Sequence, residues 1–372
     1  MIKRIISSVI LMIIIGSTLT SCYSYKEINK ITFVTSVIFD RDEYDNVLLY
    51  LDCVSPYRNA NESSDKGRRI LFQGNGKTAL EAVRDINVGS SNDLNFSQVR
   101  SYIFTEQAAR KGIDKYLDLI ENNQQFGYKT YMFVYFGENK SLLNVINNDE
   151  EYLGLYLDQL IQRNKDNSKV LSSNLNSYLT NSLDVSKIGF MSAIELKKDV
   201  IQEKIQLNGG VIMKGNHMID RLEDRDVINY NLLVNKVKGG SIQIINPNER
   251  DKFISLDILE NSIKTDIEIQ GEEVILKKDL TIKASIGEVQ GDLNMDENVI
   301  NLLNNEVEDK VRSSFEDFFE ESKKKQVDIF RISRLAEQKY PLYKTEDILK
   351  NASLIINVKV VIDGGTLLKD AM

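Results

Sequence analysis

The chain has 372 residues and a formal net charge of −8, with 42% hydrophobic and 27% charged residues. That composition excludes a disordered chain and a multi-span membrane protein, and the length accommodates about two or three domains. The acid excess excludes non-specific nucleic-acid binding, which requires a basic face.

The chain opens with Lys3 and Arg4, continues through an apolar stretch from Ile5 to Ile15 broken by Ser7 and Ser8, and reaches Leu19-Thr20-Ser21-Cys22. This is the three-part layout of an export signal. The apolar stretch is shorter than the ~20 residues a membrane-spanning helix needs. Residues 19–22 resemble the bacterial lipobox, in which a cysteine thiol takes a diacylglyceryl group from a phospholipid and a peptidase then cuts before it. Leu19 supplies the apolar anchor, Thr20 and Ser21 permit close approach, and a thiol is the nucleophile such a transfer needs. The expectation is a signal peptide at residues 1–21 and an acylated mature N-terminus at Cys22. Two acyl chains are enough for stable anchoring of a soluble body to a bilayer.

Residues 31–39 and 47–54 read as strands, joined by a polar loop at 40–46, with a further strand at 69–72. Cys53, the other cysteine, falls in the second strand and reads as a buried, inert thiol. Gly74-Asn75-Gly76-Lys77-Thr78 looks like part of a phosphate loop, but Leu71 stands five places before Gly76, where that pattern needs glycine. Thr78 and Glu81 read instead as a capping box that opens a helix. A strand at 99–104, a helix from 105 to 120 with Gly112 inside it, and a strand at 128–135 follow. Strands alternating with helices predict a mixed sheet layered with helices. Residues 139–182 read as a helical excursion.

Beyond it, 200–207 reads as a strand, Gly209-Gly210 as a turn, 211–219 as a hairpin and 223–237 as a helix closed by Gly239-Gly240. Residues 241–289 alternate apolar and polar side chains, the pattern of an antiparallel meander with one dry face. A helix over 296–325 carries Leu303, Val307, Val311, Phe315 and Phe318 along one stripe and should lie across that face. Helices near 328–338 and 344–352 and a strand at 353–362 complete the chain. The predicted fold class is α+β and multi-domain. An N-terminal α/β domain spans 22–200, and a C-terminal α+β domain spans 201–372, an antiparallel sheet covered by a long helix.

The sequence offers no catalytic, cofactor-binding or metal-ligating set. One histidine, His217 in a predicted turn, and two distant cysteines cannot build a zinc cluster, and no nucleophile-elbow, dinucleotide, EF-hand or zincin motif is present. A non-catalytic role is expected.

Ordered short motifs carry a family resemblance. They are Cys22-Tyr23-Ser24-Tyr25-Lys26-Glu27-Ile28, Gly76-Lys77-Thr78 with Glu81-Ala82-Val83-Arg84, Asn95-Phe96-Ser97-Gln98-Val99-Arg100, and Leu207 with Gly209-Gly210-Val211-Ile212-Met213-Lys214. Farther on come Asn235-Lys236-Val237-Lys238-Gly239-Gly240, Asp328-Ile329-Phe330 and Lys339-Tyr340-Pro341. Together they resemble the Ger(x)C family, the lipoprotein C subunits of bacterial spore germinant receptors. That family commonly has glycine where Arg331 stands. The resemblance implies a fold of several α/β domains and a lipid-anchored subunit on the outer face of the spore's inner membrane. It implies partners, a larger A subunit and a multi-span B subunit, in a complex that senses nutrients and triggers release of ions and dipicolinate. The alternative is a solute-binding lipoprotein of a transport system. Such a protein has two similar α/β lobes around a cleft, and the two halves here have unlike patterns.

Overall fold

The computed structural model describes residues 28–55, 67–145, 150–200, 202–234, 237–293, 296–343 and 348–363, together with positions 2, 5 and 6. The lipobox residues Leu19, Thr20, Ser21 and Cys22 lie outside the described residues.

The first sheet has nine strands among the described residues. β1 (Ile31–Arg41) pairs antiparallel with β2 (Val47–Ser55), which pairs with the edge strand β3 (Arg68–Gly76). On its other side β1 is parallel to the short β4 (Asp93–Asn95) and to β5 (Ser101–Thr105), and β6 (Tyr131–Phe136) and β7 (Ile188–Lys198) continue in the same direction. β8 (Glu203–Lys214) and β9 (His217–Leu222) close the sheet antiparallel. The parallel strands read as near-continuous apolar runs because both faces are covered. Val37, Phe39, Phe104 and Val134 point to one face, with α1 (Ala79–Gly89), α2 (Glu106–Lys111), α3 (Asp114–Asn122) and α6 (Leu175–Ser182) upon it. Ile38, Ile103 and Phe133 point to the other, with α4 (Asn139–Asn144) and α5 (Leu153–Asn164).

The second sheet is the meander β10 (Ser241–Ile245), β11 (Phe253–Gln270) and β12 (Glu273–Val289), with β13 (Ala352–Asp363) beside β12. Leu280, Ile282, Ala284 and Ile286 are buried on alternate positions, as their period requires. α8 (Glu297–Lys324), N-capped by Asp296, lays Leu303, Val307, Val311, Phe315 and Phe318 over this dry face, and α9 (Ile332–Lys339) flanks it. Between the sheets runs α7 (Asp224–Val234), buried on several sides through Val227, Tyr230, Leu232 and Leu233. One continuous core therefore joins Ile188, Phe190 and Ile212 of the first sheet to α7, the second sheet and α8.

Five features depart from the sequence reading. β13 runs parallel to β12, so the second sheet is antiparallel in three strands and parallel in its last pair. The division at 200 falls between β7 and β8, which are hydrogen-bonded from Ile188/Lys214 to Lys198/Glu203, so the first sheet continues through it to Leu222. The helix expected over 105–120 is two helices, because Gly112 adopts φ +101°, outside the helical region. Gly209-Gly210 is no turn. It lies within β8, where Asn208 and Gly209 together face Ala193, a bulge that Gly209 permits at φ +79°. Of the helix expected at 344–352, residues 348–351 form turns and 344–347 lie outside the described residues.

Candidate functional site

The predicted acylation residue, Cys22, stands six positions before Ile28, and residues 23–27 lie outside the described residues. Ile28–Lys30 form a 3-10 turn that feeds β1, an interior strand of the first sheet. The other cysteine is closed to chemistry. Cys53 is buried in β2, and burial pushes its thiol well above the ordinary cysteine range. His217, at the start of β9, is exposed, with its Nδ1 2.8 Å from the Gly215 carbonyl oxygen.

Thr78 caps α1 as expected, accepting from the Glu81 amide at 3.2 Å. Glu81 reaches back to the amide of Lys77 at 2.8 Å rather than to that of Thr78. Gly74 and Gly76 belong to β3 and lie so close to α1 that a Cβ at either would meet Ala82 backbone atoms within 2.6 Å. The glycines thus serve close packing of a helix on a strand and form no phosphate cradle. Beside this corner an open groove of about 810 Å³ runs between Leu80 of α1 and Leu119 of α3, rimmed by Lys77, Lys115, Asn122 and Gln125. Its one carboxylate is Asp118, so it holds no pair of carboxylates. Among the described residues no group of three or more His, Cys, Asp or Glu side chains could hold a metal ion. No described helix is long and apolar enough to cross a membrane.

The buried polar chemistry serves architecture. Asp52 is fully buried in β2 and receives Arg69 through both Nε and Nη2 at 3.0 Å and the amide of Leu153 at 2.8 Å. Burial raises its carboxyl above the usual range against the opposing pull of Arg69. At the junction of the sheets, the last turn of α7 would leave its carbonyls orphaned in a dry setting. Asn261 of β11 donates to Leu232 O at 2.8 Å and accepts from the amide of Val237 at 2.7 Å. Lys278 of β12 donates to Leu233 O at 2.9 Å. Nearby, Asn229 donates to Ser314 O and accepts from its hydroxyl at 3.0 Å, fixing α7 against α8. The sequence reading passed over Lys278, although strand parity exposes it: it shares a face with Leu276, Leu280 and Ile282, all buried.

This junction also separates the molecule from a hinged two-lobed solute binder. The two sheets differ in size and topology, and a continuous apolar core with α7 at its centre fills the space between them.

The comparisons with known proteins agree. Residues 24–196 match the family described as spore germination protein N-terminal domain, and residues 208–365 match the spore germination B3/GerAC-like C-terminal family. The chain is similar to "Spore germination protein GerQC" of Bacillus cereus, 24% identical over 287 residues that cover 77% of each protein. It is also similar to "Putative spore germination protein YfkR" of Bacillus subtilis (strain 168), 22% identical over 257 residues and 66% of each. Among solved structures, the crystal structure of the GerBC protein has the same fold, with a TM-score of 0.55 at 14% identity over 88% of this chain and 96% of that one. With both family matches in order along the chain, the protein belongs to the spore germination B3/GerAC-like family of germinant-receptor C subunits.

Proposed function

We propose that this protein is a membrane-tethered, non-catalytic C subunit of a spore germinant receptor, held at the outer face of the spore's inner membrane by an acylated Cys22. The observation that carries the reading is one of position. The lipobox Leu19-Thr20-Ser21-Cys22 ends two residues before the family match begins at residue 24. Cleavage before Cys22 would therefore release the family domains with the lipid two residues ahead of the first of them. Confinement to the membrane plane raises the effective concentration of the body beside its membrane-embedded A and B partners. The groove beside α1 with its single carboxylate and the inert Cys53 support a role in assembly rather than catalysis.

The test is mass spectrometry of the mature protein's first residue after purification from membranes, paired with a Cys22→Ala variant. The expected result is a diacylglyceryl-modified Cys22 in the parent. The variant should fold, lose the lipid and impair nutrient-triggered germination. An unmodified N-terminus, or the leader still attached, overturns the tether. Tight binding of amino acids or sugars to the purified protein by calorimetry would favour the solute-binding alternative.

A further inference from the structure

A second recess lies at the junction of the sheets. It has a volume of about 430 Å³ and is bounded by α7, β10 and α8, with Lys169 of the α5–α6 loop also lining it. That size falls within the range of about 300–1,000 Å³ that small-molecule sites occupy. Its apolar lining is Ile228, Leu232, Ile242, Val311 and Phe315, all but Ile228 buried and so forming a floor. The same lining holds three cations, Lys169, Arg225 and Lys310, against one carboxylate, Asp224. Arg225 is offset by Asp317, 3.1 Å away. Lys169 and Lys310 still outnumber Asp224, on a chain whose net charge is −8.

Buried hydrogen bonds hold these polar groups in place. Asn231 of α7, 3% exposed, donates to the carbonyls of Ser168 and Val170 at 2.8 and 2.9 Å. The backbone of Lys169 is thereby gripped on both sides, and its own amide donates to the Asn167 side chain at 3.0 Å. The Lys169 ammonium has no hydrogen-bond or ion-pair partner among the described residues. Lys310 donates to the Gln243 carbonyl and keeps two further protons. Arg225 donates through Nε to the Ser314 hydroxyl at 3.3 Å, and that hydroxyl donates to Asn229 Oδ1 at 3.0 Å. Asn229 is 4% exposed and lines the recess. It gives one amide proton to Ser314 O at 3.2 Å, and no hydrogen bond among the described residues takes the other. An apolar floor by itself would take any hydrophobe, and exposed lysines by themselves hold an anion only weakly. The two together select a molecule that has both parts.

We propose that this recess binds a small organic anion, a carboxylate on an apolar body. The body lies against Ile228 over the buried floor, and the carboxylate accepts from Lys169, Lys310 and the Asn229 amide. Lys169 belongs to the first half of the chain and Lys310 to the second, so an occupant bridges the two. The recess is no hinged cleft, since it lies against α7 beside a continuous core. The proposal is independent of the tether reading.

The experiment uses the full processed protein, purified, and the photoreactive probe 4-benzoylbenzoate, itself a carboxylate on an apolar body. Labelled peptides are mapped by mass spectrometry. The expected result is saturable labelling within 228–232, 241–243 and 310–315. It should be displaced by 4-phenylbutyrate, but not by 4-phenylbutanol or inorganic phosphate at the same concentration. Lys169→Glu should raise the probe concentration needed by about tenfold, the scale of one hydrogen bond to a charged group. Lys115→Glu, in the groove beside α1, should leave it unchanged. Lys310→Gln gives a second reading where Lys169→Glu fails to fold, and the melting temperature of each variant reports its folding. Equal displacement by 4-phenylbutanol would make the recess a non-selective apolar cleft and overturn the proposal. Labelling that does not saturate, labelling confined to other surfaces, or undiminished labelling in folded Lys169→Glu and Lys310→Gln would overturn it too.

Discussion

The Lys278 ammonium donates to the carbonyl of Leu233, 2.9 Å away, from a residue only 4% exposed. A cation of the second sheet thus closes the last turn of a helix that packs on the first, where the helix dipole favours positive charge.

Burial lowers the Lys278 pKa to about 8, against 10.5 in the ordinary state. Between those values the unfolded chain binds the proton and the native state does not, so stability rises with pH across that window. Below about pH 8 both states carry the charge, and its burial costs about 3 kcal/mol at one pKa unit per 1.36 kcal/mol. The variant Lys278→Met should lose this slope. Denaturant unfolding at pH 7, 8, 9 and 10 measures it, and a slope unchanged in the variant contradicts the assignment.

Asp52 and Arg69 form the buried ion pair of the first sheet. Removing one partner strands the other. Asp52→Asn should cost about 3–5 kcal/mol, because the guanidinium is left without its counter-charge. Arg69→Met leaves a carboxyl that can take a proton. Its native pKa, already raised by burial, should climb further, so the native state keeps the proton longer than the unfolded chain. Stability of that variant should fall as pH rises from about 4 towards neutrality. Unfolding midpoints at pH 5 and pH 8 compare the two.

Two glycines separate conformation from crowding. Gly209 and Gly271 both have positive φ, at +79° and +65°. A Cβ at Gly271 meets open space, whereas one at Gly209 would lie 2.1 Å from the Leu222 carbonyl oxygen. Gly271→Ala should cost ~1–2 kcal/mol, the left-handed penalty alone. Gly209→Ala should cost clearly more, because the β8–β9 pairing must shift. Thermal unfolding of the two variants side by side gives the difference.

Arg331 occupies the left-handed region at φ +56° in the cap position of α9. Arg331→Ala and Arg331→Gly lose the same side-chain contacts, but only glycine relieves the backbone. The glycine variant should be the more stable of the two by ~1–2 kcal/mol, and equal melting temperatures would refute this.

Much of the architecture was legible where periodicity was strong. The alternation at Leu280, Ile282 and Ala284 and the stripe from Leu303 to Phe318 predicted a dry sheet face and the helix upon it, and both are present. Strand direction was not legible, since side-chain parity is the same for a parallel and an antiparallel neighbour, and β13 was misread for that reason. Gly209-Gly210 was read as a turn because glycine marks both turns and bulges, and only the partner strand distinguishes them. Gly112 carried the opposite error: a single glycine in an apolar-periodic run gave no sign that it would leave the helical region. Spacing alone singles out Cys22 as the acylation candidate, and it lies outside the described residues. The clamp of Asn261 and Lys278 escaped because its meaning lies in contact with a helix about 30 to 45 residues away in sequence.

The placement of α7 has a mechanical consequence. Its side chains belong to the same apolar interior as both sheets, and its terminal carbonyls are gripped from the far side. Among the described residues the apolar interior runs unbroken from one sheet through α7 to the other, which couples the two halves as one packed body. Were the body held at one corner, as the proposed tether at Cys22 would hold it, such stiffness would turn a neighbour's displacement into a tilt of the whole, with the far sheet sweeping the widest arc.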